Sequence, residues 1–127
     1  MSQPEPSHHR LSGGPGYQAI LTGCPETRGM RSGCVSLGPG EACGLHTTGK
    51  HEEVLVILEG RGAAQLAGER QFPLAAGEVF YVPPRTEHNV VAGEDGLRYV
   101  FVVAPVIETE ADAPAPEGPG PQAGPVK

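Results

Sequence analysis

Three of the five histidines, His46, His51 and His88, stand at the edges of strand-like apolar segments, and a carboxylate, Glu53, follows His51 by two positions. Side chains alternate between faces along a strand, so His51 and Glu53 share one face and Glu52 takes the other. His46 and Thr48 share a face on the preceding segment, and Gly49-Lys50 is a fitting turn between the two. Imidazoles and a carboxylate that face one interior from adjacent antiparallel strands form a claw for a divalent transition metal. A carboxylate buried there without such a partner is costly. A register slip of one residue would turn Glu52 inward in place of Glu53. His51 is open to three placements, as a ligand, as a base supporting the ligands from behind, or in solvent, and His46 and His88 also have a plain reading as polar strand ends.

The elements that must position these groups read as strands. Between residues 17 and 107 no apolar pattern keeps a helical period, and short apolar runs recur instead at 17–21, 32–37, 42–46, 53–58, 62–66, 70–74, 79–82, 88–92 and 97–103. Gly- and Pro-bearing tetrads separate them: GPGE at 38–41, EGRG at 59–62, LAGE at 66–69, AAGE at 75–78, VPPR at 82–85 and GEDG at 93–96. Spacing of about eight to ten residues predicts an all-β sandwich or barrel. In the last run, Leu97, Tyr99, Phe101 and Val103 share a face. If that face lines the interior, the Tyr99 hydroxyl is placed to orient a substrate or move a proton, and its plain alternative is a core aromatic.

The chain has 127 residues, of which 19 are Gly and 14 Pro, and these concentrate at its two ends. The expectation is a flexible arm over 1–16, a folded domain over 17–107 and a disordered acidic Pro/Ala/Gly-rich tail over 108–127. A net charge of −6, from 15 carboxylates against 9 Lys and Arg, argues against nucleic-acid or anionic-membrane partners, which need a positive surface. With no apolar run of spanning length and no leader-like N-terminus, the expected location is the cytoplasm. Cys24, Cys34 and Cys43 lack paired spacing, so reduced thiols are expected. Cys24 and Cys34 read as small apolar fillers, and Cys43, of opposite parity to His46 in an unbroken strand, as a buried structural thiol.

Set side by side, two segments resemble the paired motifs of the cupin family. The family's first motif, G-x5-H-x-H-x3–4-E-x6-G, is matched by Gly40, His46, Glu53 and Gly60, and its second, G-x5-P-x-G-x2-H-x3-N, by Gly77, Pro83 and His88. The resemblance implies an antiparallel jelly-roll or β-barrel with a mononuclear metal site of His46, Glu53 and His88. Thr48 departs from it by standing where the second histidine belongs, Arg85 replaces the glycine and Ala92 the asparagine. A hydroxyl is a poor ligand for first-row transition metals, so His51, on the face of Glu53, is the residue able to supply the missing nitrogen.

These features lead to the expectation of one divalent transition-metal ion (iron, manganese, nickel, copper or zinc) and a small polar organic substrate, with His51 and Tyr99 as the proton-moving groups. The scaffold hosts many chemistries, so a non-catalytic small-molecule or metal-binding module and a metal-free sugar isomerase-like cupin using His88 and Tyr99 stand as alternatives. Cupins commonly pair, and 53–58 is apolar on both faces, so a homodimer is expected.

Overall fold

The computed structural model describes residues 3–107. Seven strands make up the described chain: β1 (Gly16–Thr22), β2 (Arg31–Leu37), β3 (His46–Thr47), β4 (His51–Leu66), β5 (Arg70–Ala75), β6 (Val79–Val82) and β7 (Glu87–Pro105). All pairings are antiparallel, with β2 between β1 and β7, and β4 between β7 and β5. The short strands β3 and β6 add to β7 and β4. The expected all-β jelly roll is what the chain forms. Among the described residues no helix is long and apolar enough to cross a membrane.

Two long strands give the barrel its shape. The first half of β4 pairs with β6 and the second half of β7, while its own second half pairs with β5 and the first half of β7. The expected strands 53–58 and 62–66 are therefore one, as are 88–92 and 97–103. The tetrads 59–62 and 93–96, expected as turns, are instead irregularities inside continuous strands, with register shifts between Ile57 and Glu59 and between Gly60 and Gly62. Gly60 has φ 84°, and a side-chain carbon there would collide with the Gly96 carbonyl. Glycine at this point lets both strands bend from one layer into the other without losing their pairing.

Bending brings two inner faces together. Leu55, Ile57, Leu97 and Tyr99 from one layer pack in a single cluster with Ala64, Leu74, Val90 and Ala92. Burying side chains such as Leu55 and Ile57 contributes about 1.5–3 kcal/mol each. The alternation along β4 puts Glu53 inward and buried, while Glu52 is exposed and accepts a hydrogen bond from the Tyr81 hydroxyl at 2.8 Å. The register is the one in which Glu53, not Glu52, faces the interior.

Residues 3–15 have no regular secondary structure, and the Gln18 side chain ties this arm to β1 through Ser12 N (2.7 Å) and Arg10 O (2.9 Å). The acidic tail expected over 108–127 lies outside the described residues.

Candidate metal centre

β3 and the start of β7 are cross-strand partners, and His46 sits directly opposite His88. Their rings lie 4.2 Å apart between centroids, tilted by 58°. Glu53 reaches the pair from β4, with Oε1 2.9 Å from His88 Nε2. Candidate donor atoms of His46, Glu53 and His88 all lie within 4.8 Å of one another, and among the described residues this is the group of His, Cys, Asp or Glu that converges so. Glu53 and His88 are buried and His46 is exposed, which leaves the group open on one side.

The surrounding backbone selects the nitrogen that each imidazole offers. His46 Nδ1 lies 2.8 Å from the Gly44 carbonyl and His88 Nδ1 3.0 Å from the Thr86 carbonyl. A carbonyl only accepts, so both Nδ1 atoms carry hydrogen and both Nε2 atoms face the group, that of His88 paired with the Glu53 carboxylate until an ion takes the place of its proton. Two imidazole nitrogens and a carboxylate oxygen form a donor set suited to a borderline divalent transition ion. The residues therefore fit the metal.

Thr48, in the place of the second motif histidine, has a different task. Its hydroxyl donates to the Pro83 carbonyl (2.7 Å) and accepts from the Thr86 amide (3.1 Å). Both bonds clamp the turn after β6, from which His88 emerges. That turn needs a residue with positive φ, which Arg85 supplies at φ 54° in the position where the family has glycine, its amide held by the Gly49 carbonyl at 2.8 Å. Ala92, in place of the asparagine, is buried in the core.

The group opens into a cavity of about 270 Å³ whose walls include Val35, Tyr99, Phe101 and Val103. His51, half-buried at the start of β4, lines this cavity but lies outside the converging group. Tyr99 is buried and lines it too, so it is both a core aromatic and a wall of the site. Burial first, then the neighbouring Cys43 thiol and the Glu53 charge, push its hydroxyl far above the ordinary tyrosine value. It is a neutral donor at any physiological pH.

Two cysteine expectations are corrected. Cys43 is exposed and faces the cavity, because Gly44 at φ 106° interrupts the strand whose parity would have buried it. Cys24 is likewise exposed, whereas Cys34 is buried, and all three are free thiols. Sequence reasoning missed Arg31 as a cavity residue. No motif signals it; only the pairing of β2 with β7 brings it there.

The family model Cupin_2, a cupin domain, matches residues 33–104. The chain belongs to the cupin family. This cupin is 32% identical over 121 residues to the polyketide synthase CurC of Streptomyces cyaneus, covering 86% of this chain and 75% of that protein. It is also 41% identical over 46 residues to the uncharacterized protein MJ1618 of Methanocaldococcus jannaschii, a match spanning 36% of either chain. Among solved structures, an RmlC-like cupin protein from Desulfovibrio desulfuricans superimposes with a TM-score of 0.67 at 20% identity, over 81% of this chain and all (100%) of that one. At such identity the likeness is one of fold.

One pH dependence follows from this geometry. Burial opposes the charged form of His88, but the hydrogen bonds to Glu53 and Thr86 and the Glu53 charge outweigh it and hold the imidazole above its ordinary value of 6.5. The His88–Glu53 pairing therefore stabilises the metal-free protein fully below that value, and the contribution is lost as pH rises through the raised one. A divalent ion competes with the same proton for Nε2, so its affinity should rise with pH over that window. Thermal melts in chelator and metal titrations across about pH 6–8 should thus show opposite slopes, and Glu53→Gln should flatten the first of them. Parallel slopes would contradict the assignment of Nε2 to the ion.

Proposed function

We propose that this cupin is a mononuclear metal enzyme, of the oxygenase, isomerase or lyase type, whose site is His46, Glu53 and His88 and whose substrate is a small polar organic molecule that offers the ion carbonyl or hydroxyl oxygens. The observation that carries the reading is the convergence of three suitable donor atoms within 4.8 Å beside an accessible cavity. Iron, manganese, nickel, copper and zinc all suit the donors. Bound there, such an ion supplies Lewis acidity toward a substrate oxygen. Similarity to CurC, named a polyketide synthase, favours a polyketide-like substrate, in which alternate carbons carry oxygen.

The chain's own residues set the rest. Val35, Phe101 and Val103 give the cavity apolar walls that hold a carbon skeleton and keep water from it. Tyr99, whose hydroxyl stays neutral, is the group that donates a hydrogen bond to a bound substrate oxygen. His51, on the same cavity, is the base within range of a bound molecule. The metal-free isomerase reading has less support, because it leaves the convergence of His46 and Glu53 on His88 without a task.

Elemental analysis of protein purified without an affinity tag or added metal tests the proposal. About one equivalent of a first-row transition ion per chain is expected for a closed set of protein ligands. Absence of metal together with no tight binding on reconstitution would shift the reading to a metal-free binding module.

A homodimer belongs to the same proposal. The outer face of β4 carries half-buried Val54 and Val56, and its partners on β6, Val79 and Tyr81, are 65% and 52% exposed. Such a patch is apolar enough to favour a second copy. Sedimentation at a dimer mass is expected, and a monomer mass over a wide concentration range would remove this part of the proposal.

A further inference from the structure

Arg31 begins β2 opposite Val103, and Val103 lies in turn opposite Glu53. The three residues form one cross-strand row, with the backbones of Arg31 and Glu53 two strand spacings, about 10 Å, apart. Arg31 lines the same cavity as the metal group and is the one permanently cationic side chain on its wall among the described residues. The stem of the side chain is steered by the preceding loop, since a carbon added at Gly23 would lie 3.4 Å from Arg31 Cγ. No hydrogen bond or ion pair engages its guanidinium among the described residues. Between Arg31 and Glu53 the wall is apolar, from Val103 and Phe101.

An apolar trough with metal-capable donors at one end and, at the other, a guanidinium that no described residue engages selects for a bipolar ligand. We infer that Arg31 anchors the substrate's anionic end, so that the site takes a molecule with metal-binding oxygens at one terminus and a carboxylate a few carbons away. This rests on the metal-centred reading proposed above and adds to it a substrate charge and a residue that reads it. Guanidinium and carboxylate match as planar partners with two parallel hydrogen bonds, a geometry that an ammonium cannot copy.

The test uses the metal-reconstituted full chain and two probes that share a 1,3-diketone: 4,6-dioxoheptanoate, with a carboxylate two methylenes from the diketone, and its methyl ester. Binding is read by calorimetry. The acid should bind about tenfold more tightly than the ester, as expected for a charge-assisted contact, and the preference should shrink with added salt. Arg31→Met should erase the preference by weakening acid binding alone, with metal content and far-ultraviolet dichroism unchanged, and Arg31→Lys should restore part of it. If acid and ester bind equally, or if Arg31→Met leaves the preference intact, the role of Arg31 is refuted while the metal-centred reading stands. If neither probe binds although metal is retained, the role of Arg31 falls together with the oxygen-bearing substrate proposed for the ion, while the metal site itself stands.

Discussion

Replacing His46 and His88 together by alanine should strip the purified protein of its metal, to below about a tenth of an equivalent, because it removes two of the three ligands and no neighbour can replace them. Among the described residues His51 is the other imidazole on the cavity, and it lies outside the converging group. The substitution also strands Glu53, which is buried and loses the imidazole that sits 2.9 Å from its carboxylate. Removing one partner of a buried ion pair costs about 3–5 kcal/mol, so the double variant should melt well below the parent. Adding Glu53→Gln removes the uncompensated charge and should recover much of that loss without recovering metal. Inductively coupled plasma analysis reads the metal and dichroism the fold. Stoichiometric metal in either variant would sink the assignment, whereas metal loss with an intact β-type spectrum separates ligand removal from unfolding.

The same residues show how far the sequence alone reaches. The spacing of Gly40, His46, Glu53 and Gly60, and of Gly77, Pro83 and His88, anticipates the group, because Gly40, Gly77 and Pro83 stand at turns that set where the next ligand-bearing strand begins. Alternation likewise separates Glu53 from Glu52 onto opposite faces, and the pairing register decides that Glu53 is the inward one. Alternation fails where the chain only resembles a strand. Gly44 breaks the segment that carries Cys43, and the glycines at 60 and 96 read as turns although they bend two long strands. Arg31 was out of reach for another reason: it lies more than twenty positions before Glu53, and only the pairing of β2, β7 and β4 places both on one row.

Thr48 is the position where sequence and structure together say more than either, and it carries the second large effect. By spacing it is a missing ligand; by geometry it is a clamp. Thr48→Val keeps the shape but leaves the Pro83 carbonyl and the Thr86 amide without their partner. Each of the two unmet groups in this half-buried turn costs about 1–3 kcal/mol, so a loss of about 2–6 kcal/mol is expected. For a domain of this size that lowers the melting midpoint by about 10 °C or more. The Thr86 carbonyl is also what orients His88 through Nδ1. Loosening it should weaken metal binding by about 10- to 100-fold, the usual effect of removing support behind a ligand. Thr48→Ser keeps both hydrogen bonds and should bind metal like the parent. That contrast distinguishes a positioning hydroxyl from a filler of space: if the serine variant loses metal as the valine variant does, packing by the methyl group holds the site, and if the valine variant keeps it, the turn holds His88 without Thr48.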